Sequence, residues 1–209
     1  MEGSQTKRVT TTKRRVAGYH PPAVAEDDRQ RLLALLRERA LSRESVKLAS
    51  GRRSSFYIDA RQVLLDPEGA ALAGRLGHAQ LADHTISAVG GLTLGADPLV
   101  CAISSAAWQA GQHWTGFLIR KEAKKHGFQQ WLEGPFIEEG SPVAVVDDVL
   151  TSGGSLRVSL ERARQAGGEV KAALVVVDRE EDGGRAAVEA DLDGAPLYSL
   201  FTGGELLDG

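Results

Sequence analysis

The sequence predicts an α/β domain with a central, mostly parallel sheet and helices on both faces. Two observations carry that prediction. Short apolar runs at 85–89, 115–119, 143–146, 172–177 and 197–201 alternate with longer segments of helical period. The run 143–146 is apolar at every position, as a strand covered on both faces requires.

The elements follow in order. From Asp27, a stripe of Leu32, Leu33, Leu35, Leu36 and Ala40 predicts a helix, with Asp27 and Asp28 suited to its N-terminus. A Gly/Ser-bearing turn at 50–55 leads into a short strand at 56–59. Pro67 opens a helix that carries Leu72, Leu76 and Ala79 and ends near Ala82. The first core strand, 85–89, is expected to stop at Gly90-Gly91. An Ala-rich helix at 96–110 closes at Gly111. Strand 115–119 and a long polar connection, 120–139, precede the strand at 143–146. A helix at 154–166 shows Leu156, Leu160 and Ala163 on one face and stops at Gly167-Gly168. Strands at 172–177 and 197–201 complete the pattern, and no internal repeat is present.

Composition narrows the setting. Of 209 residues, 42% are hydrophobic and 25% charged, enough for one full core without staples. No apolar stretch approaches the roughly 20 residues that a membrane-spanning helix needs, so no membrane partner is expected. Cys101 is the sole cysteine, which excludes an internal disulfide; with no Cys/His cluster at zinc spacing, a reducing, cytoplasmic setting is expected. Cys101 sits in an apolar helix and is expected to serve packing rather than chemistry. A net charge of −3 argues against a nucleic-acid partner. The charge is uneven: residues 1–20 hold five basic side chains against Glu2, a local +4 that leaves −7 on the remainder. This Thr-rich head lacks the apolar core of a secretory signal. Residues 1–25 read as a disordered basic tail, and residues 26–209 as a single domain.

Residues 143–155, VAVVDDVLTSGGS, carry the most chemistry. A buried strand delivers Asp147 and Asp148 to its carboxyl end, where open parallel sheets bind ligands. The turn Val149-Leu150-Thr151-Ser152-Gly153-Gly154-Ser155 then opens a helix whose free N–H groups suit a phosphate. Glycines let the backbone approach that phosphate, while Thr151, Ser152 and Ser155 add hydroxyl donors. Carboxylates beside a phosphate repel it unless they face something else, such as ribose hydroxyls or a metal-bound sugar.

This segment resembles the phosphoribosyl diphosphate (PRPP) motif of type I phosphoribosyltransferases. Further matches narrow the resemblance to the orotate phosphoribosyltransferase family. They are RKEAKKHG at 120–127, SGRRSSFYID at 50–59, GGLTLGADP at 90–98 and the pair Asp178-Arg179. The similarity spans residues 27–180 in the family's order.

The resemblance implies a type I phosphoribosyltransferase-like fold with a small N-terminal hood. It implies transfer of the phosphoribosyl group from PRPP to orotate, giving orotidine 5′-monophosphate and pyrophosphate in pyrimidine biosynthesis. Asp147 and Asp148 would hold the ribose hydroxyls and residues 149–155 the 5′-phosphate. Arg120, Lys121, Lys124 and His126 would bind the diphosphate, with Lys124 and His126 catalytic and Lys124 the leaving-group donor. Thr151 and Arg179 match orotate contacts, and Phe56 and Tyr57 either cover the orotate ring or fill core. Mg²⁺ is expected as cofactor, held mainly through PRPP and water, with no dedicated protein metal site. The connection after Arg120, broken by Gly127, Gly134 and Pro135, would be a mobile lid over a neighbouring subunit's site, implying a homodimer. Two positions that are lysine in some relatives are Ala49 and Leu94 here. A phosphoribosyltransferase for another base and a PRPP-sensing regulator are the competing readings; RKEAKKHG and Arg179 favour orotate.

Overall fold

The computed structural model describes residues 26–43, 46–47, 53–54, 56–123, 131–135 and 137–208. The basic head expected at 1–25 lies outside the described residues, and the first element begins at Glu26.

Helix α1 (Glu26–Leu35) continues as one π turn, Leu36–Ala40. It leads into short extended pieces β1 (Leu41–Ser42), β2 (Val46–Lys47), β3 (Arg53–Ser54) and β4 (Tyr57–Ile58). β1 pairs with β4, and β2 with β3, both antiparallel. These two small ladders are the expected hood. A single turn, α2 (Arg61–Leu64), precedes α3 (Pro67–Leu81). At the start of α3, Pro67 needs no N–H partner and the Asp66 carboxylate accepts from the N–H groups of Glu68 and Gly69.

The alternating region follows as β5 (Ala88–Leu92), α4 (Asp97–Gln109), β6 (Thr115–Ile119), β7 (Leu132–Glu133), β8 (Ser141–Leu150), α5 (Gly154–Gln165), β9 (Gly168–Asp178), α6 (Gly184–Asp191), β10 (Leu197–Thr202) and α7 (Gly203–Leu207). One six-stranded sheet has the order β10-β9-β8-β5-β6-β7, parallel except for β7. Strand alternation splits the core into two layers. Ala144 and Val146 of β8 and Ala172, Leu174 and Val176 of β9 pack with α1, α3 and α4. Val143 and Val145, with Ala173 and Val175, pack against α5 and α6.

Several boundaries depart from expectation for identifiable reasons. The first core strand is Ala88–Leu92, not 85–89, and carries Gly90-Gly91 inside it. A Cβ on Gly90 would fall 2.3 Å from the Phe117 ring, and one on Gly91 would fall 2.1 Å from the Val146 carbonyl oxygen. These glycines therefore permit close packing within the sheet rather than ending a strand. Strand β8 runs four residues past Val146, so Asp147 and Asp148 belong to the strand itself. The polar connection after Arg120 contains β7, paired with β6 at Leu118–Glu133 and Ile119–Leu132. Cys101 does not serve packing: it lies on the exposed face of α4. The single-turn helices α2 and α7 are too short to show a period.

The connectivity creates a switch point. From β5 the chain moves to β6 on one side; β8, β9 and β10 build outward on the other. β5 and β8 pair only from Ala88–Val143 to Gly90–Val145 and then part, opening a crevice at their carboxyl ends. Gly91→Ala should push these strands apart where the crevice begins. The expected cost is about 1–3 kcal/mol of stability, or about 2–4 °C in melting temperature for each kcal/mol. Thermal denaturation followed by circular dichroism checks this, and an unchanged midpoint would show that the strands have room to part.

Candidate active site

The crevice is a cleft of about 370 Å³ that gathers residues from five separate parts of the chain. The carboxyl end of β8 supplies Asp147, Asp148 and Val149, and the following turn Thr151, Ser152 and Ser155. Leu92, Thr93, Leu94 and Gly95 come from the end of β5, and Lys121 from beyond β6. Arg179 and Asp182 follow β9, while Tyr57, Ile58, Asp59 and Arg61 descend from the hood.

Asp147 is 5% exposed, and its Oδ1 accepts from the Asp148 N–H at 3.0 Å. Burial, with the like charge of Asp148 second, pushes its carboxyl well above the ordinary 3.8; the Asp148 N–H and the Lys121 charge act in the opposite sense. Asp148 is half-buried and accepts from the Val149 N–H at 2.8 Å. Facing it is Gly95, where a Cβ would fall 2.5 Å from the Asp148 Oδ1. Glycine at 95 is thus the space that the carboxylate occupies.

Residues 149–156, with Asp147, enclose a smaller concavity of about 100 Å³ at the start of α5. Gly153 adopts φ 79°, which turns the strand exit into the helix start. On the far side Gly184 opens α6 so close to the loop that a Cβ would meet the Thr151 carbonyl oxygen at 1.9 Å. Gly154 and Ser155 begin α5 with their N–H groups at its positive end. Leu150 is buried and contributes backbone alone: its carbonyl accepts from the Arg179 N–H at 3.0 Å.

The basic residues divide. Lys121 lines the cleft, but its neighbour Arg120 does not: the Arg120 guanidinium donates to Glu133 at 2.7 Å and to the Glu122 carbonyl at 3.1 Å. Lys124 and His126 lie outside the described residues. Beyond them, Trp131 is fixed beneath Arg162 of α5, whose guanidinium carbon sits 3.5 Å from the ring centroid. Tyr57 is exposed and lines the cleft. Phe56 does not; its ring is buried in the core and supports Arg179, whose guanidinium carbon lies 4.5 Å above it.

Sequence reasoning missed Asp59 and Arg61. The Arg61 Nε donates to Asp59 Oδ1 at 2.7 Å, and this guanidinium holds the Asp59 carboxyl below its usual range. No local signal marks this pair, because the hood brings it to the cleft. Leu94, an apolar side chain lining the cleft, is 68% exposed. Of the other position singled out, Ala49 lies outside the described residues. Among the described residues, no group of three or more His, Cys, Asp or Glu side chains is placed to hold a metal.

No family model matches the chain. It is 46% identical over 175 residues to the orotate phosphoribosyltransferase of Thermosynechococcus vestitus, covering 84% of this chain and 90% of that protein. To the orotate phosphoribosyltransferase of Aquifex aeolicus it is 41% identical over 183 residues, covering 86% and 98%. Among solved structures, the orotate phosphoribosyltransferase of Mycobacterium tuberculosis in complex with PRPP aligns with a TM-score of 0.71 at 36% identity, covering 86% of this chain and 98% of that one. Similarity of this extent, across nearly the whole of each relative, shows that the chain belongs to the orotate phosphoribosyltransferase family.

Proposed function

We propose that this protein transfers the 5-phosphoribosyl group of PRPP to orotate, releasing pyrophosphate and forming orotidine 5′-monophosphate for pyrimidine nucleotide synthesis. The observation that carries the reading is the convergence, in one cleft, of an acidic strand end, a phosphate-sized loop and two cations from opposite walls, Lys121 and Arg179.

The chain's residues act by position and charge. In substitution at the ribose C1′, the bond to the diphosphate oxygen breaks as the bond to orotate N1 forms, and the N1–H proton is released to solvent. The ribosyl carbon gains positive character while negative charge builds on the departing diphosphate. Thr151, Ser152, Ser155 and the N–H groups opening α5 hold the 5′-phosphate. Asp147 and Asp148 accept from the ribose hydroxyls, which resolves the conflict between carboxylates and a phosphate site. The fixed charge of Lys121 faces the diphosphate, and Lys124 and His126 complete its neutralisation, with Lys124 protonating the leaving group. Arg179, beside Thr151, meets the orotate carboxylate with a planar fork, and Tyr57 covers the base.

Mg²⁺ fits this donor set. Asp147 and Asp148 are hard oxygen donors, but only two, so the ion would be held chiefly by PRPP oxygens and water. When bound, it offsets diphosphate charge.

The protein works as a homodimer with shared sites. Supporting this, Arg120 points its guanidinium to Glu133 and not into its own cleft, one residue before a lysine that does line it. A cytoplasmic location accords with the exposed thiol of Cys101.

The direct test follows orotate absorbance with PRPP and Mg²⁺ present, then with each omitted. Orotate should disappear only in the complete mixture; no loss while PRPP still binds would redirect the reading to another base.

Asp147 should also reveal a conflict between stability and function. Its folded-state pKa is raised, so the folded chain binds this proton more tightly than the unfolded chain, and stability is lost as pH rises above 3.8. In the ligand-free protein, Asp147→Asn should therefore raise the melting temperature at pH 7 by about 2–4 °C or more, with the gain vanishing near pH 3–4. The same variant should lose PRPP binding. A lower midpoint at pH 7 would refute the first part.

Subunit mixing tests the shared sites. Lys124→Ala homodimers and Asp147→Asn/Asp148→Asn homodimers should each be nearly inactive. Exchanged together, they should recover about one quarter of wild-type activity, because half the dimers are mixed and each holds one intact site. Failure to recover would place both sets of residues in one subunit's site.

A further inference from the structure

Arg179 is nearly as buried as the core beneath it: its side chain is 2% exposed, against 28% for that of Glu181. A guanidinium taken out of water needs a counter-charge and a fixed set of acceptors. Glu181 supplies the charge. One nitrogen, Arg179 Nη2, lies 2.8 Å from Glu181 Oε2 and donates to the Phe56 carbonyl at 2.9 Å. Two acceptors on one nitrogen, with the Phe56 ring under the guanidinium carbon, fix the plane of the fork.

The chain accepts strain to put Glu181 there. Glu180 and Asp182 adopt φ values of 57° and 58°, and Gly183 follows at 65°. Two non-glycine residues in the left-handed region on either side of one side chain are costly, and persist only where the surroundings impose them. Asp178 does so. Its Oδ1 accepts from the Glu180 N–H at 2.9 Å and its Oδ2 from Arg185 Nε at 2.6 Å. Arg185 also donates to Ser199 on β10 at 3.1 Å, which ties the turn to the sheet. Arg179 lines the cleft and Glu181 does not, so a ligand entering the cleft meets the arginine and not its partner.

We propose that Glu181 is a positioning residue for base recognition: through Arg179 it sets the plane of the fork that receives the orotate carboxylate. The proposal rests on the assignment of Arg179 to orotate made above. It differs from a competitive arrangement, in which the substrate carboxylate would expel Glu181 and its removal would tighten binding.

The test is steady-state kinetics of Glu181→Gln, Arg179→Ala and the double variant, each with a thermal melt. Glu181→Gln should raise the orotate KM about tenfold, the scale of one hydrogen bond to a charged group, while the PRPP KM and kcat stay within about twofold of wild type. In the Arg179→Ala background, adding Glu181→Gln should change the orotate KM no further. An orotate KM unchanged or lowered by Glu181→Gln overturns the proposal, as does an equal loss for both substrates with a lowered melting midpoint. If Arg179→Ala leaves the orotate KM untouched, the assignment of Arg179 fails first and the role of Glu181 falls with it.

Discussion

The parting of β5 from β8 is the constraint on which the rest of the molecule turns. The two strands pair for three residues and then belong to different halves of the sheet. Gly91 lets them run close until they part, since any side chain there would strike the Val146 carbonyl. One residue later β8 delivers Asp147, and β5 gives way to the Thr93–Gly95 turn that forms the opposite wall. The cleft is thus a property of strand order, and its chemistry depends on which residues stand at the two open ends.

Those residues set up an electrostatic compromise. Asp147 is buried beside a second carboxylate, an arrangement that opposes its ionisation and that Lys121 only partly relieves. A folding optimum would place a neutral side chain there. On the function proposed above, a ligand rich in hydroxyl donors would justify the carboxylate. Around this pair, two of the three cations that line the cleft among the described residues are themselves paired: Arg61 is held by Asp59 and Arg179 by Glu181. Each pairing removes net charge while leaving a donor group fixed in place.

Much of this could be read from sequence where local structure and chemistry coincide. Residues 143–155 announce a buried strand, a carboxylate pair and a glycine-marked helix start within one stretch, and the structure places them in that order. Legibility fails where tertiary packing overrides local preference. Gly90-Gly91 reads as a strand end because glycine is poor in strands, yet both are inside β5 for want of space. Arg61 sits on a helix of four residues, too short to show a period, and reaches the cleft only because the hood folds over it. Glu181 looks like one of several acids on a solvated turn; only the fold shows it against a buried arginine. Phe56 and Tyr57 are adjacent and alike, but one enters the core and the other the cleft, as burial alternates through Phe56, Tyr57 and Ile58 on entry to β4.

The contact between Gly184 and the Thr151 carbonyl reaches further than its size implies. Helix α6 offers no side chain to the cleft, yet its first residue forms the back wall of the loop that would grip a phosphate. Variation along this chain is therefore not graded by distance from the ligand. A newly acquired methyl group at position 184 would be felt first as a misshapen anion cradle, with the sheet and both cores unaltered. When homologous sequences are compared, an invariant glycine here would record the outline of a phosphate it never touches.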